Sequence, residues 1–184
     1  VFYVAVPSYA TQEGVPQRVA WIFAAFGVAT VIGGLLGGLV SKKLAPLSAL
    51  RNAYLVWFIT CIPIAFTYPD WTMALVGVFI GLMGGAVQVF YFEVLEAVRP
   101  QGSQTSSLGW IWSVEGSFMA VGAATGGWIS EHYSPQVGLG LLPLMLLCGL
   151  LILTLGKRRL AAANDVPTEE EDLQAIKDIS NEVK

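Results

Sequence analysis

The stretch TSSLGWIWSVEGSFMAVGAATGGWIS, residues 105–130, is mostly apolar and carries one charged side chain, Glu115, near its middle. A helix of roughly 20 apolar residues crosses the hydrocarbon core of a bilayer. An ionised carboxylate at mid-membrane costs at least about 2.5–3.5 kcal/mol there, so it must face protein or water. Reading this stretch as a membrane span therefore fixes the fold class and makes Glu115 a functional candidate at once. Its neighbours in sequence decide whether the reading holds.

They do so in both directions along the chain. Comparable apolar runs occupy residues 19–40, 71–92 and 136–156. A shorter run, 53–68, contains Pro63, which membrane helices tolerate where neighbours satisfy the freed carbonyls. Residues 1–10 read as the outer end of one more span. The sequence opens VFYVAVP, already apolar and without the basic leader of a signal peptide, so it is expected to be a fragment with its first helix cut short. The expected architecture is all-α, a polytopic membrane helix bundle over residues 1–160. A separate acidic tail follows over 161–184.

Charge placement supports the same count. Only 12% of the 184 residues are charged and 55% are hydrophobic, against about 25% charged in soluble domains. Lys42, Lys43, Arg51, Arg99, Lys157, Arg158 and Arg159 all fall in alternate loops, and only Arg18 falls on the other side. Basic loops stay in the cytoplasm, so a plasma (inner) membrane protein with a cytoplasmic C-terminus is expected, with Trp21, Trp71, Trp128 and Tyr133 as outer interface anchors. Glycines recur at small-xxx-small spacing, Gly33 with Gly37, Gly34 with Gly38, and Gly77 with Gly81 and Gly85, and again at Gly122 with Gly126. This spacing predicts close helix packing. Cys61 and Cys148 lie in separate apolar runs and read as small hydrophobes.

Two connecting segments carry a resemblance. GGLLGGLVSKKLAPLSALR, residues 33–51, is similar to the loop between the eighth and ninth helices of the major facilitator superfamily: Gly37, Leu39, Lys42 and Lys43 fit, while Ser41 and Leu44 replace an acid and a glycine. The segment 93–131 resembles the connection from the tenth helix to the eleventh. It begins with an acidic residue, passes through Arg99 and Gly102, and continues into a helix with Gly109, Gly116, Gly122, Gly126 and Gly127. The resemblance implies a C-terminal six-helix half, from the end of helix seven through helix twelve, efflux-permease-like, with the N-terminal half of the same transporter as its partner. It also implies a secondary carrier that moves a small-molecule substrate by alternating access, probably-coupled ion aside, with a proton as the expected driving partner.

The resemblance further implies that the eleventh helix borders a central cavity together with the seventh, eighth and tenth, while the ninth and twelfth are peripheral. Glu115 then sits on a cavity helix, sharing its face with Ile111, Trp112, Phe118, Met119 and Gly122. It reads as a proton-coupling carboxylate or a contact for a cationic substrate. Equally open are a hydrogen bond to a serine or threonine of another helix and a position nearer the interface. Gln88 and Tyr91 on the preceding span, with Trp112 and Met119, are the expected substrate-cavity residues, and Trp110 offers a second stacking ring. Lys42, Lys43, Arg51, Glu93, Glu96 and Arg99 form the expected cytoplasmic gate, although topology alone accounts for the basic ones.

Other chemistries find no support. No phosphate-binding loop, nucleophilic serine motif, His-Glu-x-x-His or paired cysteines occur, and the single histidine, His132, stands in an outer loop. An enzyme is not expected, nor a cofactor, a metal or a nucleic-acid partner. Glu13, Asp70 and Glu131 read as solvated loop charges. In the tail, Thr168 and Glu171 make a capping box, and Leu173, Ile176, Ile179 and Val183 follow at helical spacing. The alternative to a carrier is an accessory, non-transporting half-transporter that acts through helix packing or oligomerisation in the lipid bilayer.

Overall fold

The computed structural model describes residues 1–41, 44–98, 104–157 and 160. Among them every regular element is helical: α1 Phe2–Gln12, α2 Arg18–Ser41, α3 Pro46–Cys61, α4 Trp71–Val98, α5 Gln104–His132 and α6 Pro135–Gly156. A 3₁₀ segment, Ile62–Phe66, continues α3. Pro63 has no N–H to donate back into the helix, so the chain tightens there instead of adding another α-turn.

Local chemistry sets the helix ends. Pro46 and Pro135 each occupy the first turn of their helices, where a missing N–H costs nothing, and the Ser134 hydroxyl accepts from the Val137 N–H at 3.3 Å. The first helix closes through Gly14 at φ 71°. The Val15 N–H reaches the Ala10 carbonyl at 2.8 Å, and the Gly14 N–H reaches Thr11 at 3.1 Å. This is the paired closure that a left-handed glycine permits.

Asp70, which reads from sequence as a solvated loop charge, caps α4. Its Oδ1 accepts from both the N–H and the hydroxyl of Thr72, each at 2.7 Å. The Thr72 hydroxyl holds this carboxyl below the ordinary aspartate range, with the Thr72 N–H and nearby Arg18 adding to the effect. A depressed carboxylate pKa stabilises the fold above its unfolded value, about 3.9, and that contribution disappears as pH falls through the lower, folded value. Asp70→Ala is expected to cost about 1 kcal/mol at pH 7. Thermal unfolding in detergent checks this, and the gap between variant and parent should close in strong acid. Across the same rim Arg18 donates to the Pro69 carbonyl at 3.4 Å, and a hydrogen bond to Glu13 raises the Tyr68 phenol.

Four helices are long and apolar enough to cross a membrane: Arg18–Ser41, Pro46–Phe66 (α3 with its 3₁₀ extension), Trp71–Val98 and Pro135–Gly156. The 29 residues of α5 reach about 43 Å, but its serines, threonines and Glu115 make it less apolar. Several of those hydroxyls bond back to their own helix, Ser113 to Gly109, Ser117 to Ser113 and Thr125 to Val121, each at 2.8 Å. Large apolar side chains cover the outside of the bundle, among them Leu35, Leu39, Phe66, Trp71 and Leu155. A surface so rich in apolar groups suits lipid rather than water.

The tightest packing joins α2 to α4. A Cβ at Gly81 would meet the Phe26 carbonyl oxygen at 2.5 Å, and one at Gly37 would meet Ala86 Cα at 2.9 Å. The other helices hold α3 by its aromatic knobs: the Trp57 ring lies against Gly84 of α4, and Tyr54 lies against Gly149 of α6. The two rings meet edge to face, centroids 5.6 Å apart. By contrast α5 docks through its outer end alone, with Gly126 against Val1, and Ser130 against Gly138 of α6. Its residues from Trp112 to Val121 are exposed.

Candidate functional site

These packing differences leave a cavity. Because α2 lies flush on α4, no space opens between them. Because α5 is held only at its outer end, its inner half stands beside a void of about 750 Å³. The walls come from four helices. Leu50, Tyr54 and Trp57 project from α3, and Val87, Gln88 and Tyr91 from α4. Trp110, Ile111, Val114 and Glu115 project from α5, and Gly149, Ile152, Leu153 and Gly156 from α6, with Leu160 beyond its end.

Three of the sequence-predicted residues thus meet at one cavity: Glu115, Gln88 and Tyr91. Glu115 is the only charged group in the lining, and it interacts electrostatically with Tyr91 across the cavity. The lining contains neither serine nor threonine. The polar groups that share the cavity with Glu115 are aromatic or amide: Tyr54, Trp57, Gln88 and Tyr91. Trp112 and Met119 are not brought to this cavity. They lie on the other flank of Glu115, exposed, and Trp110, one turn of ring-bearing helix away, takes the lining position instead. A 3.6-residue period identifies the residues beside Glu115, but only the tertiary contacts of α5 decide which flank faces protein.

The cavity also draws its walls differently from what the resemblance implies. In that register α3 and α6 are the ninth and twelfth helices, expected at the periphery, yet both line it. Neither α1 nor α2 contributes a lining residue. The glycine-mediated closure of α2 on α4 is the physical reason.

Sequence reading missed Trp57. Its Nε1 is buried and has no hydrogen-bond partner among the described residues. An isolated tryptophan inside an apolar run gives no signal of this in sequence. Glu93 Oε2 and Ser130 Oγ are likewise buried and unpartnered. Of the expected gate, Lys42, Lys43 and Arg99 lie outside the described residues, as does the tail helix over 161–184. Arg51 falls inside α3, exposed, and Glu93 and Glu96 lie in the last turns of α4. Leu50 and Val94, next to Arg51 and Glu93 in sequence, belong to one core cluster, so the two helix ends are neighbours.

His132 closes α5 rather than standing in a loop. Its ring stacks on Trp128 at 4.8 Å, and its Nδ1 lies 3.0 Å from the Trp128 carbonyl oxygen. Among the described residues no three His, Cys, Asp or Glu side chains gather at a metal-binding distance.

The family model for the Major Facilitator Superfamily matches residues 1–183. No curated protein and no solved structure matches the chain.

Proposed function

The chain belongs to the major facilitator superfamily, a family of membrane transporters for small molecules, and from that premise we propose a proton-coupled secondary carrier working by alternating access. In this reading α1 to α6 take the places of helices seven to twelve, and an N-terminal half faces the exposed flank of α5 that carries Trp112, Phe118 and Met119. The carrier is an exporter of drug-like or metabolite solutes in the plasma (inner) membrane, with the chain's C-terminus on the basic, cytoplasmic side.

The observation that carries the proposal is the meeting of Glu115, Gln88 and Tyr91 at one largely apolar cavity. A carboxylate in such surroundings is expensive to keep charged unless a cation or a proton neutralises it. Alternating exposure to two compartments then exchanges one for the other. An amide and a phenol beside it orient a solute. The arginine and glutamates at the inner ends of α3 and α4 serve as the gate, together with Lys42, Lys43 and Arg99.

Proteoliposomes holding the full-length protein and an internal pH dye test the coupling. Solute entry is expected to move the internal pH in step with flux. Flux with no pH change would remove the proton from the mechanism. Absence of flux across a broad panel of amphipathic solutes would favour the accessory half-transporter, whose exposed α5 flank would then seat a second copy.

A further inference from the structure

We propose that the cavity between α3, α4, α5 and α6 binds a lipophilic organic cation that also carries a hydrogen-bond acceptor, with Glu115 holding the positive group and the Trp57 indole N–H donating to the acceptor. The proposal rests on the carrier reading and names the substrate class of that carrier. It places the binding determinants within one six-helix unit.

Three features of the lining select this class. The single charge is negative, which disfavours anions and favours a cation of matching position. Tyr54, Trp57, Tyr91 and Trp110 supply aromatic faces, and a desolvated organic cation gains from such faces in a way that a strongly hydrated small ion does not. The remaining wall is aliphatic or glycine, too poor in hydrogen-bonding groups for a sugar or a free nucleotide. A volume of about 750 Å³ lies within the usual range for drug-sized ligands.

The acceptor requirement comes from Trp57. An indole N–H can only donate. Here it is buried and has no partner among the described residues, and the bilayer offers no water to replace one. The ring is wedged: a Cβ at Gly84 would already lie 3.3 Å from its Cζ2, and Tyr54 stands edge-on beside it. It therefore cannot swing toward α4 to find a carbonyl. Satisfying an orphaned donor recovers a desolvation cost already incurred on folding, which makes it a strong selector between ligands.

Equilibrium binding of two probes to the full-length protein in nanodiscs tests this. Rhodamine 6G is a delocalised cation with an ester carbonyl; tetraphenylphosphonium is a cation of comparable hydrophobicity with no acceptor. Trp57→Phe is expected to weaken rhodamine 6G several-fold, up to about tenfold, and to leave tetraphenylphosphonium unchanged, which also shows the variant is folded. Glu115→Gln is expected to weaken both. Equal losses for the two probes in Trp57→Phe, or no loss for either in Glu115→Gln, would overturn the assignment. Binding that no substitution alters would mean that acyl chains fill the cavity, and would overturn it too. The readout is independent of transport. Cation binding without proton movement in the proteoliposome assay would fail the carrier reading alone, and proton-coupled flux without cation binding would fail this proposal alone.

Discussion

Gly85→Leu is expected to separate α2 from α4 and leave almost no folded protein, and even Gly85→Ala should cost about 3 kcal/mol, the upper end of ordinary overpacking. A Cβ at Gly85 would press on the Thr30 carbonyl oxygen, with the Gly34 nitrogen at 2.7 Å and the Thr30 carbonyl carbon at 3.0 Å. All three are backbone atoms within a second helix, so no side chain can rotate aside. Either the helices part or the chain does not fold. In lipid no hydrophobic force compensates for the loss, because tails are as apolar as the side chains they would replace, and association depends on the close packing itself. Gly77→Ala is the matched control. It lies two turns up the same helix, nothing lies within 4 Å of its prospective Cβ, and alanine is the better helix former by about 1 kcal/mol. Monodisperse yield in detergent and the melting temperature read both variants. A Gly85→Ala protein as stable as its parent would show that α2 and α4 do not meet this way.

The same pair shows what sequence can and cannot say. Spacing alone groups Gly77, Gly81 and Gly85, and pairs Gly34 with Gly38, as equivalent packing positions. Only Gly81 and Gly85 of the first set meet the partner backbone, and nothing lies within 4 Å of a Cβ at Gly38. A four-residue period marks a face, and the crossing point of two helices decides how much of that face is used. Helix boundaries diverge for a related reason. The apolar run beginning at residue 53 belongs to a helix that starts at Pro46, since helices continue past the hydrocarbon edge into polar flanks and hydropathy does not register the continuation. Asp70 was hidden because a lone aspartate before Trp71 and Thr72 resembles any loop acid until its hydrogen bonds are seen. The cavity was half legible. The rarity of polar groups in spans singled out Glu115 and Gln88, whereas Trp57 and Trp110 are two tryptophans among six, and only the placement of α3 and α5 distinguishes them.

Glu115→Gln is expected to abolish accumulation while sparing exchange. Glutamine keeps the size and a hydrogen-bonding carbonyl of glutamate but binds no proton in the working range, so it separates the shape of the site from its titration. If one proton leaves as one cationic solute enters, the exchange moves no net charge, and the gradient that can be sustained depends on pH alone. One pH unit is worth 1.36 kcal/mol, and therefore supports about tenfold accumulation on the acid side. Proteoliposomes with an interior one unit more acid than the medium should hold a cationic solute about tenfold over equilibrium with the parent protein. With Glu115→Gln the ratio should fall to about one, and any remaining solute-for-solute exchange would proceed without a proton. Glu115→Asp should restore part of the accumulation, because it returns the titrating group at a shorter reach toward Gln88 and Tyr91, which share the cavity. The geometry of α5 makes this a sharp test. The hydroxyls of Ser113 and Ser117, which flank Glu115 in sequence, bond back to their own helix at 2.8 Å, and no other cavity-lining residue is acidic. Tenfold accumulation by the glutamine variant would therefore move the coupling site out of this cavity, with buried Glu93 at the inner end of α4 the next carboxylate to replace.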